Sequence, residues 1–143
     1  MYETILLPTD GSDGALGAAR EALDLLAPGG TLHVLYVLDT RMSPLTAEMD
    51  RDEALALLDD SDHDPTGPVL DRAEAAGVEA VEAIRLGVPH EVICEYVTDQ
   101  DVDLVVMGTH GRTGIEHALL GSVTERVVRL ADVPVLTVRP DAE

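Results

Sequence analysis

The chain contains no lysine, no phenylalanine and no tryptophan, and has one cysteine in 143 residues. Each absence removes a class of answer. A lone Cys94 excludes an intramolecular disulfide framework, and beside scattered histidines it offers no zinc-ligand spacing. Without lysine there is no P-loop, whose G-x-x-x-x-G-K signature places that cation on the phosphates. With Tyr2, Tyr36 and Tyr96 as the only aromatics, the core has to be built from Val, Leu, Ile and Ala. That composition suits parallel strands buried on both faces, which read as continuous aliphatic runs. No apolar run approaches the ~20 residues that span a bilayer. The opening "MYETILLPTD" enters a strand at once, with no basic-then-apolar signal pattern. The expectation is a single soluble, cytoplasmic domain over residues 1–143, which at this length buries roughly 68–70% of its unfolded surface.

Positive charge is also scarce. Nine arginines face 28 Asp plus Glu, a net charge of −19. Such a field repels phosphate backbones and anionic lipid, so neither nucleic acid nor membrane is an expected partner. A carboxylate-rich surface of this kind is soluble, and it suits a cytoplasm of very high salt, where screening relieves the self-repulsion.

Five aliphatic runs have strand character: "ETILLPT" (3–9), "TLHVLYVLD" (31–39), "VEAVEAIR" (78–85), "VDLVVMG" (102–108) and "VPVLTV" (133–138). Only "VEAVEAIR" alternates, which marks it as an exposed edge. Helical patterns lie between them. Residues 12–27 carry Leu16, Ala19, Leu23 and Leu26 on one face until "APGG" stops the helix. In "GVPHEVICEYVTD", Pro89 suits a first turn, and Val92, Ile93, Tyr96 and Val97 form a face with Cys94 as inert filler beside it. "SVTERVVRLA" pairs Ser122 with Glu125 at capping-box spacing. Alternating strands and helices predict an α/β fold with a parallel sheet and right-handed crossovers. Residues 40–67 read as a surface excursion: a short acidic helix, a break at "SDHDPTGP", then helix again over "PVLDRAEAAG".

The chemistry concentrates in "VVMGTHGRTGIEHALLGSVTERVV" (105–128), where Gly108, Gly111, Gly114 and Gly121 separate a buried strand from a capped helix. Ligands of open α/β sheets bind beyond the carboxyl ends of the strands. Glycines let successive amides form an anion-binding nest, and the following helix adds unpaired N–H groups and a positive dipole end. A polyphosphate is held this way without many cationic side chains. The dinucleotide fingerprint G-x-G-x-x-G occurs nowhere, so Asp39, at the ribose-binding position of such enzymes, carries no weight. Asp60, Asp62, Asp64 and Asp71 fall at calcium-loop positions, but Pro65 replaces the required glycine and Asp71 the bidentate Glu. No Ser, His and acid constellation suggests a hydrolase.

Gly108-Thr109-His110-Gly111, nine residues, then Gly121-Ser122 reproduces G-x-x-G-x9-G-[S/T] with nothing missing. With "ILLPTDGS", "GVPHEVICEYVTDQDVDLVVMG" and "VPVLTVRP" around it, the chain resembles the ATP-binding branch of the universal stress proteins over nearly all but residues 40–67. The resemblance implies a Rossmann-like, five-stranded parallel sheet of order 3-2-1-4-5 with helices on both faces. It implies ATP, with Mg²⁺ or Mn²⁺ on the phosphates and no metal ligand from protein side chains. Gly108 and Gly111 would approach ribose and phosphates, and Gly121 and Ser122 would bind phosphate through amides and hydroxyl. Asp10, Pro8 and Thr9 would line the nucleoside end, and Val37 would meet adenine through its main chain. Met107, Arg112, Val123 and Thr124 complete the implied set, and His110 and His117 share the loop. Plainer roles stay open: Ser122 as a helix cap, Asp10 as an Asx turn, Val37 as a core residue. The resemblance also implies a homodimer through the edge strand 133–138 and an unidentified regulatory protein partner. With no catalytic base, positioned lysine or arginine finger, ATP hydrolysis is expected to be slow at most. A sensor or regulator fits better than an enzyme; an interaction protein without nucleotide, or a binder of AMP or another adenine signal, is the alternative.

The surface charge makes a direct prediction. The melting temperature is expected to rise from low to multimolar KCl, measured by thermal unfolding; full stability at low salt removes the high-salt reading.

Overall fold

A computed structural model describes residues 1–9, 13–39, 66–108 and 122–139. Five strands form one parallel sheet in the order β3-β2-β1-β4-β5. They are β1 (Tyr2–Pro8), β2 (Leu26–Asp39), β3 (Glu79–Gly87), β4 (Leu104–Gly108) and β5 (Val135–Val138). The helices between them are α1 (Asp13–Leu25), α2 (Gly67–Ala75), α3 (Pro89–Asp99) and α4 (Ser122–Leu130). The alternating run "VEAVEAIR" forms edge strand β3, where Glu79, Val81 and Glu82 are exposed.

Period-two alternation in the central strands feeds two cores. Ile5, Leu7, Leu32, Val34, Leu104 and Val106 face α1 and α2. Leu6, Leu35, Ala83, Val105 and Met107 face α3 and α4, which contribute Ile93, Tyr96, Val97 and Val127. A strand buried on both faces needs no polar side, hence the uninterrupted "ILLP" and "LVVM". The α1 face differs from the sequence expectation. Ala15, Ala18, Ala19 and Ala22 are buried, while Leu16 and Leu23 are partly buried at its margin. Alanine lets the helix backbone lie close to the sheet, and the leucines then cover the flanks.

β2 also begins earlier than expected. Leu26 already pairs with Tyr2, and the next pair is Thr4 with Thr31, two residues along β1 against five along β2. "APGG" is therefore an irregularity inside a strand as well as a helix stop. Gly30 makes it possible: a Cβ there would stand 2.8 Å from the Glu3 carbonyl oxygen and 2.9 Å from that of Ala27. α2 ends in a Schellman motif, with Gly77 at φ +72 and Val78 N–H donating to the Ala73 carbonyl. α3 starts on Pro89 as expected and ends where Asp101 takes a left-handed φ of 51. Of its predicted apolar face, Ile93, Tyr96 and Val97 are buried and Val92 is half-buried.

One polar tie crosses the α3-side core. The Tyr96 hydroxyl and His33 Nδ1 stand 2.6 Å apart, a hydrogen bond whose donor is set by the imidazole tautomer. The rings meet edge to face, and the Arg85 guanidinium lies 5.7 Å from the Tyr96 centroid. Burial pushes the His33 pKa below its ordinary 6.5, partly opposed by the Glu79 carboxylate. The unfolded chain then takes up the imidazole proton at a higher pH than the folded one. The stability this group contributes is complete above pH 6.5 and is lost as pH falls toward the lowered folded value. Urea unfolding is expected to show stability declining on acidification through that window. His33→Asn should flatten that part of the profile; an identical slope in the variant overturns the assignment.

Candidate functional site

The sheet is tied at one end of its β1–β4 seam and open at the other. At the amino end, Asp103 N–H donates to the Thr4 carbonyl at 2.8 Å, and Thr4 N–H donates to Asp103 Oδ2 at 3.1 Å. The ladder then registers Ile5 with Leu104 and Leu6 with Val105, and no further. Beyond that point each strand follows its outer neighbour. Leu7 and Pro8 pair with Val34 and Leu35, and Thr9 N–H donates to the Leu35 carbonyl at 2.8 Å. Val106, Met107 and Gly108 pair with Leu136, Thr137 and Val138. Pro8 has no N–H to give to a ladder, which helps β1 and β4 to part. The parting coincides with the topological switch point, since the chain runs from β1 toward β2 on one side and from β4 toward β5 on the other.

Several of the expected site residues gather at this opening. Pro8 and the buried Thr9 end one lip; the buried Met107 and half-buried Gly108 end the other. Val37 lies at the same end of β2, opposite Arg85 of β3, with its side chain packed on the α3-side core. A main-chain contact from Val37 is compatible with that packing. Ser122 opens α4 and is exposed, Val123 packs on the core, and Thr124 is buried. Asp10, Gly111, Arg112 and Gly121, with His110 and His117, lie outside the described residues.

α4 is held against β4 by a contact that spacing alone did not announce. Thr124 Oγ1 donates to the Gly108 carbonyl at 2.9 Å. The Thr124 hydroxyl proton is therefore spent inside the protein. The capping box anticipated at Ser122 also takes a different form. Glu125 turns its carboxylate one turn forward to Arg129, at 2.8 Å, and Ser122 is the first residue of the helix. The Thr124 bond sets the amino end of α4, with its positive dipole, at the carboxyl end of β4. This arrangement can hold an anion by backbone amides.

Other candidates fall away. Among the described residues no three His, Cys, Asp or Glu side chains converge as metal ligands. Asp71, the described member of the calcium-loop candidates, is exposed on α2, and the rest lie outside the described residues. Burial and the Asp132 carboxylate raise the Cys94 thiol pKa, consistent with an unreactive filler. A cavity of about 420 Å³ lies between residues 26–30 and 76–79, at the amino end of the sheet and opposite the opening. No helix among the described residues is long and apolar enough to cross a membrane.

The chain is similar to known proteins over nearly its whole length. Residues 1–139 match the model of the Universal stress protein family. The chain is 38% identical over 143 residues to Universal stress protein MJ0531 of Methanocaldococcus jannaschii, covering 97% of this chain and 83% of that one. The solved structure of MJ0577 from the same organism superposes with a TM-score of 0.85 at 30% identity, covering 100% of this chain and 99% of the other. A universal stress protein solved in complex with cAMP superposes with a TM-score of 0.66 at 28% identity, covering 98% of each chain.

Proposed function

Because the chain belongs to the universal stress protein family, we propose that it binds an adenine nucleotide in the opening between β1 and β4 and acts as a nucleotide-dependent sensor or regulator in a stress response. The observation that carries this reading is the early end of the β1–β4 ladder at Leu6–Val105, with α4 starting beside the end of β4. The nucleotide we assign is ATP. Its nucleoside end lies by Pro8, Thr9, Asp10 and the Val37 main chain. Its phosphates lie against Gly108, Gly111, Gly121 and Ser122, flanked by Met107, Arg112, Val123 and Thr124. Amides and a helix dipole suit a triphosphate in a lysine-free chain of net charge −19. A divalent ion, Mg²⁺ or Mn²⁺, would ride on the phosphates and neutralise them. The chain's own part is to bind and orient; no residue is assigned to catalysis.

A second reading is favoured by the relative solved with cAMP: the ligand here is a cyclic or monophosphate adenine signal. Calorimetry with ATP, AMP and cyclic AMP in multimolar KCl separates the two. ATP is expected to bind tightest. Gly121→Leu should abolish binding while circular dichroism stays unchanged, because a side chain there blocks the approach of phosphate. Unchanged affinity in that variant counts against the backbone nest, and binding of cyclic AMP alone selects the second reading.

We also propose that the protein is a homodimer through residues 133–138. β5 is the outer strand beside β4, all four of its residues are half-buried, and no lysine or other charge guards it. Such an edge is a template for another strand. Light scattering in high salt should give twice the chain mass of 15.2 kDa; a monomer rules the interface out.

A further inference from the structure

α4 meets the sheet through two kinds of contact that constrain it differently. Val123 and Val127 pack into the apolar layer formed by Leu6, Val105 and Met107. Apolar packing sets how far the helix stands from the sheet, but it is non-directional and leaves the position along the helix axis weakly specified. The Thr124 hydrogen bond is directional. It joins the third residue of α4 to the last residue of β4, across 16 positions of chain. Thr124 is 5% exposed and Gly108 half-buried, so the donor side of the bond is shielded from competing water.

Its place in the helix explains why it is available. A threonine deeper in a helix returns its hydroxyl to the carbonyl three or four residues back. Thr124 lies in the first turn, where the residue four back precedes the helix, so its hydroxyl reaches outward to a strand carbonyl. The acceptor is equally well placed. Gly108 ends β4 beyond the last β1–β4 pair, at the lip of the opening.

We infer that Thr124 is a positioning residue: its bond to the Gly108 carbonyl sets the axial register of α4 against β4, and so aims the amides of Ser122 and Val123 at the opening. This rests on the nucleotide-binding reading, and it gives Thr124 a role other than touching the ligand. The hydroxyl acts through α4, and the side chain stays beneath the first turn.

The test compares Thr124→Val, which keeps the shape and removes the hydroxyl, with Thr124→Ser, which keeps the hydroxyl. Two readouts are taken: ATP affinity by calorimetry, and amide hydrogen exchange of the nucleotide-free protein. The amides to follow are those of Arg126, Val127 and Val128, which the first turn of α4 holds by i to i−4 bonds. In Thr124→Val, affinity should fall about tenfold and exchange at these amides should quicken several-fold, the scale of one lost buried hydrogen bond. Thr124→Ser should restore both to near wild type.

Unchanged exchange in Thr124→Val overturns the inference whatever happens to affinity, and a fall in affinity alone would mean direct contact with nucleotide. Faster exchange with unchanged affinity for a nucleotide that the wild type binds also overturns it. Equal defects in both variants do the same, since the hydroxyl would not then be the cause. If the wild type binds no adenine nucleotide, the functional reading falls. Exchange then still decides whether Thr124 sets the register of α4: quickening in Thr124→Val alone upholds it.

Discussion

The parting of β1 and β4 is the constraint on which the rest of this molecule depends. A parallel sheet whose outer strands lie on opposite sides of a central pair has to divide its connections there, and the carboxyl end of that pair is left uncovered. Here the division is reinforced from both ends. Asp103 and Thr4 tie the seam at its amino end, and the ladder stops after Leu6 and Val105. Pro8 and Thr9 belong to the β2 side, Met107 and Gly108 to the β5 side. The proposed ligand sits where the β1–β4 ladder has ended.

Charge and site chemistry are connected. A chain with no lysine and a net charge of −19 has few cations to spend on a phosphate. Backbone amides and the amino end of a helix carry no formal charge, so they attract an anion without lowering the net negative charge that keeps the surface solvated. Arg129, in the last turn of α4, is engaged with Glu125. The proposed anion site and the acidic surface are thus compatible because they draw on different parts of the chain.

An almost wholly aliphatic core also raises a question of specificity. Val, Leu, Ile and Ala interdigitate in many ways with similar energy, and a directional contact selects among them. Such contacts among the described residues include Thr4 with Asp103 at the sheet seam, His33 with Tyr96 under α3, and Thr124 with Gly108 under α4. The last two join a helix to a strand across an apolar layer. The lack of phenylalanine and tryptophan makes Tyr96 the one buried aromatic among the described residues, and its hydroxyl is partnered as burial requires.

Much of this was legible in the order of residues. Aliphatic runs bounded by Gly, Pro and Asp placed five strands, Pro89 placed the start of α3, and alternation marked β3 as an edge, because these properties depend on neighbours within a few positions. The glycine motif at 108–122 located the candidate site for the same reason, and its resemblance to a known family supplied the strand order that the structure has. Local pattern could not reveal that Leu26 pairs with Tyr2, that the α1 face centres on alanines, or that Thr124 reaches Gly108 and Thr4 reaches Asp103. Those partners are 16 and 99 positions apart in the last two cases, and a hydrogen bond between distant residues leaves no periodic trace. The sequence by itself determined which segments are strands, which are helices and where the glycines fall. Only the tertiary structure decided where β1 and β4 separate and how α4 is aimed, because both follow from contacts that exist once distant elements have packed.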